Sequence, residues 1–339
     1  HDARPELAYA AGDVLHLDDQ LGLNPGLTGL HKMWQDGRLA IVRGVGYPKP
    51  DHSHFRSMDI WQTASPETPV NTGWLGRWLD ATGDDPLRAV NVGAVLPPLA
   101  VGAKAAAAAL PLGRSKPLPA ALDASIDALG RPDPADSPAR ALVCAGYRAQ
   151  RRVNTTFAPV IDKSAAGDED PQLPAGSAGG QTGLKQQLDT VARCIKLGVP
   201  TSVYAVSQGG FDTHADEKGS QQAQLGVVDA AVSSFFDQLA GDPSGQKVVL
   251  LAYSEFGRRV AANAAQGTDH GTAGPVFVAG APVKGGFYGA EPSLRDLDAG
   301  DLKAGIDFRV VYSELIAKVL KTDPGSILGP DRPALGFLT

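Results

Sequence analysis

The chain has 339 residues, of which 43% are hydrophobic and 20% are charged, and its formal net charge is −6. A chain of this length can bury a substantial core, so it needs no disulfides or metal ions to fold. The acidic balance, without a Lys/Arg cluster, argues against a nucleic-acid surface, and no apolar run approaches the roughly 20 residues of a membrane-spanning helix. We therefore expect a small or polar partner, no nucleic acid and no transmembrane segment.

The first predicted elements are a helix and a strand. Apolar residues recur at helical spacing over 27–36, and Gly37 is typical of a helix end. The run LAIVRGV over 39–45 is apolar and rich in β-branched residues, as in a buried parallel strand. The loop PKPDHSHFRS follows and places Ser53 at a predicted strand-to-helix junction.

We interpret the chain as a single domain over 1–339 with two segments that stand apart from its regular elements. Residues 95–140 are rich in Ala and Pro, which indicates an insertion or cap. Residues 163–183 carry turn residues without a periodic apolar pattern, which indicates a flexible surface loop. The sequence begins at His1 rather than Met, so we expect a leader, with or without part of the first element, to precede it.

Strands and helices alternate in the second half of the chain. The predicted elements are a helix over 184–195, a strand over 202–206, a helix from about 221, a strand over 247–253 and a strand over 275–279. Such alternation predicts an α/β fold in which a mainly parallel sheet is covered by helices on both faces. Ligands of such sheets bind beyond the carboxyl ends of the strands.

Metal-ligating residue types are concentrated in the loops next to these strands. Asp212 and His214 are two residues apart in GGFDTH, so in an extended segment both side chains point to the same side and can share one ion. In TDHG, His270 is a candidate third ligand, and Asp269 either binds the ion or orients the imidazole. The alternative for Asp212 is a helix or turn cap, and for His214 a hydrogen-bonded loop residue.

Glu255 and Arg258 follow the most apolar predicted strand. Glu255 is a candidate metal ligand or general base, or else an ion-pair partner of Arg258 or Arg259. The planar guanidinium of Arg258 also matches the oxygens of a phosphate or sulfate.

Ser53 lies between His52 and His54 at the predicted start of a helix. The backbone amides and the dipole of a helix N-terminus favour an anion and lower the pKa of a coordinated hydroxyl, which suits a nucleophile. The alternative is a helix-capping serine flanked by two surface histidines. The only cysteines, Cys144 and Cys194, are compatible with a disulfide, with two free thiols or with buried core groups.

Several long strings resemble one bacterial family over nearly the whole chain. They are GLHKMWQDGRLAIVRGVGYPKPDHSHFRSMDIWQTA, TGWLGRWLD, VYAVSQGGFDTHADEKG, LAYSEFGRRVAANAAQGTDHGTAGPVFVAGAPVKGGFYG and DFRVVYSELIAKVL. The family they resemble is the domain-of-unknown-function family fifteen-oh-one, which is itself similar to the alkaline phosphatase and sulfatase superfamily. The resemblance implies a three-layer α/β/α sandwich of the alkaline phosphatase type and a secreted or periplasmic location.

The resemblance also implies a metal-dependent hydrolase of phosphate or sulfate esters. It implies that the site binds a divalent metal ion. Zinc is the first candidate, and manganese, magnesium and calcium are alternatives. The implied metal ligands are Asp212, His214, Glu255, Asp269 and His270, with His52 and His54 as additional candidates, and the implied catalytic residues are Ser53 and Arg258.

The chain departs from the superfamily pattern in two places. No strand ending in a metal-binding aspartate follows His1, so we expect the N-terminal strand of the family to be missing. Glu255 is followed by Phe256, which cannot bind a metal, where the superfamily has a histidine. These departures leave a second hypothesis open, in which the protein is a catalytically degenerate binding or assembly protein that recognises an anionic glycan or a protein partner.

Overall fold

The computed structural model of the protein describes residues 1–83, 85–112, 119–161 and 183–339. The α-helices are α1 (Thr28–Gln35), α2 (His54–Thr63), α3 (Trp74–Thr82), α4 (Ala120–Leu129), α5 (Pro138–Ile161), α6 (Leu184–Lys196), α7 (Glu217–Gln238), α8 (Phe308–Lys318) and α9 (Gly325–Leu328). The strands are β1 (Leu15–His16), β2 (Gly22–Leu23), β3 (Leu39–Gly46), β4 (Ala89–Val92), β5 (Ala108–Leu110), β6 (Val203–Ala205), β7 (Leu250–Ala252), β8 (Gly274–Ala279), β9 (Gly286–Tyr288), β10 (Leu297–Asp298), β11 (Asp301–Leu302) and β12 (Ile306–Asp307). Short 3-10 helices span Ala11–Asp13, Pro86–Arg88, Pro98–Ala100 and Gly245–Lys247.

Local signals account for several helix boundaries. α1 is followed by Gly37, whose positive φ of 68° suits glycine because it has no Cβ to clash. α2 begins after Ser53, whose hydroxyl accepts from the Arg56 amide, and α8 begins after Asp307, whose carboxylate accepts from the Arg309 amide. The predicted helices over 27–36 and 184–195 are confirmed, while α7 begins at Glu217, four residues before the predicted start.

The strands are distributed over several small sheets. The largest contains five strands, in the order β12, β3, β8 and β7, with β9 also paired to β3. β3 is parallel to β9 and β12 and antiparallel to β8. A second, parallel sheet has the order β5, β4 and β6, and two antiparallel pairs join β1 to β2 and β10 to β11.

The direction of β8 contradicts the predicted fold. β8 is antiparallel to both of its neighbours, with Val276 opposite Val42 of β3 and Phe277 opposite Ala252 of β7. No α-helix lies between β7 and β8, whose connection is fully described, and antiparallel strands do not need the helical crossover that parallel strands require. The predicted three-layer, mainly parallel, alkaline phosphatase-like sandwich is therefore wrong. The chain is a mixed α/β fold whose largest sheet is itself mixed.

Side chains of β3 alternate between two hydrophobic clusters. Ala40 and Val42 join a cluster that includes the apolar faces of α2, α3 and α8. Leu39 and Ile41 join a cluster that includes the apolar faces of α1, α6 and α7. This alternation follows from the period of two along a strand. Because α2 is anchored in the first cluster through the buried Trp61, its N-terminal residue His54 is held at the end of the sheet.

Several regions singled out in the sequence have defined places in the structure. Within 95–140, residues 108–110 form β5 and pair with β4. The predicted flexible loop over 163–183 lies outside the described residues except for Gly183, which precedes α6. The strand predicted over 247–253 is shorter than expected. It corresponds to β7, which spans only Leu250–Ala252 and whose side chains are half-buried.

Cys144 and Cys194 are both buried, and both are free thiols. Burial raises the pKa of the Cys194 thiol to about 11, which keeps it protonated and poorly nucleophilic at neutral pH. Among the helices of the described residues, none has the length and apolar character needed to cross a membrane.

Candidate metal centre

The candidate site lies at one end of the five-stranded sheet. The loop after β3 leads to His54 at the start of α2, and the segment after β7 carries Glu255. The segment before β8 carries His270 and reaches the same end because β8 runs antiparallel to β3 and β7. An isolated bridge between Arg258 and His270 joins the last two segments. The loop between β6 and α7 adds Asp212 from a fourth direction.

Asp212 is the centre of the cluster. Its Oδ1 lies 2.8 Å from His270 Nε2 and 2.9 Å from His214 Nε2, and its Oδ2 lies 3.2 Å from His54 Nε2. The ligand atoms of His54, Asp212 and His270 all lie within 4.8 Å of one another. These three side chains form a His/Asp/His group that can hold a metal ion.

The Nδ1 atoms of His54 and His270 both face hydrogen-bond acceptors. His54 Nδ1 lies 2.6 Å from Glu255 Oε1, and His270 Nδ1 lies 2.7 Å from the backbone oxygen of His52. A carbonyl or a carboxylate accepts hydrogen bonds, so both Nδ1 atoms carry the proton. This arrangement directs the Nε2 atoms of His54 and His270 towards Asp212, as in metal-binding histidines that donate their second N–H to an acceptor.

The resulting geometry requires a positive charge at the centre. In the neutral tautomers, the Nε2 atoms present lone pairs to the Asp212 carboxylate at 2.8 and 3.2 Å, and these groups repel one another unless a proton or a cation lies between them. Ligands of a tetrahedral zinc ion, at about 2.0 to 2.1 Å from the metal, lie roughly 3.3 Å apart. The donor set and its spacing therefore fit a divalent ion, with small shifts of the side chains.

His214 and Asp269 extend the cluster on its more exposed side. His214 Nε2 lies 3.0 Å from His270 Nε2, and His214 Nδ1 lies 3.3 Å from Asp269 Oδ1. Asn263 donates to both the backbone oxygen of His214 and Asp269 Oδ1. Hydrogen bonds from Asn263 and His214 hold the pKa of Asp269 below its usual range. His214 is thus placed next to the His/Asp/His group, with Asp269 behind it.

The electrostatic environment keeps Asp212 ionised. Partial burial by itself raises the pKa of this carboxyl, but hydrogen bonds that His270 and His54 donate through Nε2 in their doubly protonated forms, together with the nearby charges of His54 and His214, outweigh burial. The pKa of Asp212 is consequently held well below its usual range. A carboxylate that stays charged to low pH is available as a metal ligand over the whole physiological range.

Phe256 forms an apolar wall behind the imidazoles. Its ring centroid lies 5.0 Å from that of His54 and 4.6 Å from that of His270, and its side chain is buried. The sequence had marked Phe256 only as a residue unable to bind a metal. In the structure it packs against two metal-ligand candidates and helps to hold their rings, while the Asp212 side remains open to solvent.

Glu255 and Arg258 contact the cluster from behind. Besides His54, Glu255 is bound by Ser254, whose hydroxyl donates to Glu255 Oε2 at 2.8 Å, and its carboxylate is only 11% exposed. Arg258 donates to the backbone oxygens of Phe211 and Thr268 and to Asp212 Oδ1. Glu255 thus orients His54. Arg258 links Asp212 to the loops that carry Phe211 and Thr268.

Ser53 and His52 lie beside the cluster. The Ser53 hydroxyl is at 3.5 Å from the Arg56 amide as the cap of α2, and its backbone N–H donates to Asp51. The His52 ring does not face Asp212, because its Nε2 lies 2.9 Å from Oδ2 of the buried Asp301. His52 contributes instead through its backbone oxygen, which receives the proton of His270.

Removing the charge of Glu255 is expected to weaken metal binding about tenfold, at the lower end of the roughly 10- to 100-fold losses seen when such a partner is removed. In Glu255→Gln the amide oxygen still accepts from His54 Nδ1, but the neutral group polarises the imidazole less. Isothermal titration with zinc checks this expectation. Glu291→Gln is the control, because Glu291 is exposed and, among the described residues, forms an ion pair with Arg43 alone. Equal zinc affinity of Glu255→Gln and the wild type would rule out the orienting role.

One comparison with known proteins identifies a family. A family model described as "Protein of unknown function (DUF1501)" matches residues 72–301, which is more than half of the 339 residues. The match includes Asp212, Glu255 and His270, whereas His54 precedes it. No curated protein and no solved structure matches the chain. The chain therefore belongs to the DUF1501 family.

Proposed function

We propose that this protein is a zinc-dependent hydrolase of phosphate or sulfate esters. Two imidazoles and one carboxylate are a donor set typical of catalytic zinc sites, whereas magnesium and calcium prefer sites built from oxygen ligands. A bound zinc ion supplies Lewis-acid polarisation of an ester oxygen and lowers the pKa of a nucleophile beside it.

The observation that carries the proposal is the convergence of two imidazole Nε2 atoms on one carboxylate. Both imidazoles are fixed from behind by acceptors, Glu255 for His54 and the backbone oxygen of His52 for His270. This preorganisation is what a metal centre requires, whereas three surface side chains that merely share hydrogen bonds have no need of it.

The residues of the chain have distinct roles in this proposal. His54, Asp212 and His270 hold the ion, and His214 is placed to join them. Arg258 has three protein acceptors, so we assign it to positioning Asp212 rather than to binding substrate. The side chain of Asp212 is 50% exposed, which leaves one face of the centre accessible to an ester.

Ser53 is the nucleophile candidate because it directly precedes His54 and its side chain lies at the exposed N-terminus of α2. Its long hydrogen bond to the Arg56 amide, at 3.5 Å, is weak enough to be exchanged for a contact with substrate. The neighbouring helix N-terminus favours the anionic ester.

The proposal is tested by measuring zinc content and turnover of aryl phosphate and aryl sulfate for the wild type, His54→Ala and His270→Ala. We expect the wild type to bind one or more zinc ions per chain and to hydrolyse at least one ester, and both variants to lose zinc and turnover together. His31→Ala is the matched control, because the His31 ring is hydrogen-bonded to the backbone oxygen of His16, away from the cluster. Turnover that survives both substitutions and chelation would contradict the proposal.

A non-catalytic binding protein is the second candidate function. The capping position of the Ser53 hydroxyl favours it, because a helix cap needs no catalytic role. This candidate predicts stoichiometric zinc and binding of anionic ligands without turnover. Full turnover by Ser53→Ala, in a protein that still needs His54 and His270, would instead show that another group supplies the nucleophile.

A further inference from the structure

The first turn of α2 carries an exposed aromatic residue directly beside the candidate metal ligand His54. Phe55 is 91% exposed, the largest exposure of any large hydrophobic side chain in the part of the chain that the structure describes. The buried residues of α2 are Ser57, Ile60, Trp61 and Thr63. At 100° per residue, Phe55 lies about 160° from Ser57, about 140° from Ile60 and about 120° from Trp61, so it points away from most of the buried face.

The position of Phe55 is therefore set by the helix and is not the result of loose packing. The helix is anchored by Trp61, which stacks on Tyr253 and Phe308 and donates to the backbone oxygen of Glu255. Rotating α2 to bury Phe55 would expose Trp61 and withdraw His54 from Asp212. The phenyl ring stays in solvent as long as the metal centre is intact.

The ring lies at the same end of α2 as the candidate ligand His54. Side chains of an α-helix lean towards its N-terminus, and the N-terminus of α2 is the end that carries His54. The side chains of Asp212 and His214 are 50% and 43% exposed, so the cluster is accessible to a ligand from solvent. Phe256, by contrast, packs against the rings of His54 and His270.

We propose that Phe55 is a substrate-binding residue that stacks on a ring in the alcohol part of the ester. The substrate class is then a phosphate or sulfate ester of a ring-bearing alcohol, either a phenol or a sugar, whose ester group binds the metal ion held by Asp212, His54 and His270. Both kinds of ring offer a flat apolar face to a phenyl group. This inference rests on the proposed function, since it needs an anionic group bound at the metal centre.

The test is isothermal titration of the zinc-loaded protein with three probes: phenylphosphonate, a hexose phosphate and methylphosphonate. We expect the wild type to bind at least one ring-bearing probe more tightly than methylphosphonate. Phe55→Ala is expected to weaken that probe about two- to tenfold and to leave methylphosphonate unchanged, while Phe55→Trp retains the affinity. Loss confined to phenylphosphonate identifies an aromatic ring, and loss confined to the hexose phosphate identifies a sugar.

Leu142→Ala is the matched control, because Leu142 is also an exposed apolar residue, 73% exposed, on α5. If methylphosphonate binds as well as both ring-bearing probes, or if Phe55→Ala weakens all three equally, the inference is overturned while the metal centre stands. If the wild-type protein takes up no zinc, the proposed function fails and the inference fails with it.

Discussion

Asp212→Asn is expected to abolish high-affinity zinc binding while the chain remains folded. The carboxylate contacts His54, His214, His270 and Arg258 at once, so no other single side chain of the cluster connects as many candidate ligands. Asparagine keeps the shape but loses the charge and turns one ligand oxygen into a donor. Loss of a residue that only orients a metal ligand lowers metal affinity by up to about 100-fold. Because Asp212 is itself a candidate ligand, we expect the zinc affinity to fall by more than this.

The measurement combines zinc titration with thermal unfolding in zinc and in chelator. At a zinc concentration about 100 times the dissociation constant, binding stabilises the folded state by about 2.7 kcal/mol, and this gain should vanish in Asp212→Asn. Asp59→Asn is the control, since Asp59 forms an ion pair with Arg56 on the same helix and, among the described residues, with no other side chain. Wild-type zinc affinity in Asp212→Asn would remove the basis of the metal centre.

The side chain with the largest expected effect on stability is Glu314 of α8. It is 2% exposed, and its two oxygens accept the backbone N–H groups of Leu335, Gly336 and Leu338 at 2.8 to 2.9 Å. Glu314→Ala leaves these donors without their acceptor beneath the buried Phe337. Only the hydrogen bond to Leu338 is fully buried, and at about 1 to 3 kcal/mol for a buried unsatisfied group we expect the free energy of unfolding to fall by about 2 kcal/mol or more.

Urea unfolding of the chelated protein measures this loss independently of the metal centre. Glu314→Gln should lose less, because its amide retains one acceptor oxygen. Glu291→Ala, at an exposed ion pair with Arg43, should change the free energy of unfolding by at most about 1 kcal/mol. If Glu314→Ala unfolds at the same urea concentration as Glu291→Ala, the C-terminal residues are held by their other contacts, which include the bridge between Val283 and Leu338.

Local sequence patterns predicted several helices and strands. α1 and α6 have apolar residues at helical spacing and end near a glycine, and the strands predicted over 39–45 and 275–279 are found within one residue as β3 and β8. The strand predicted over 247–253 is only three residues long, because Lys247 belongs to the 3-10 helix Gly245–Lys247 and the next two residues are not paired in the sheet. Periodicity reports burial within a segment, but pairing depends on a distant partner.

The same distinction applies to the candidate site. The sequence identified the loops and residue types around Asp212 and His270, and the His/Asp/His group contains both. It could not rank His54, which it treated as an additional candidate, above Glu255. The structure brings the two together through one hydrogen bond of 2.6 Å, with His54 facing Asp212 and Glu255 behind it.

The sequence by itself determined the family, helices α1 and α6 and the loops that carry titratable groups. Only the tertiary structure decided the direction of β8, and that direction places His270 next to His54 rather than at the far end of the sheet. An apolar run such as PVFVA has the same pattern whether it pairs parallel or antiparallel. The direction of β8 is set by its pairing with β7 and with the distant strand β3, and therefore the arrangement of the metal ligands is a property of the folded chain.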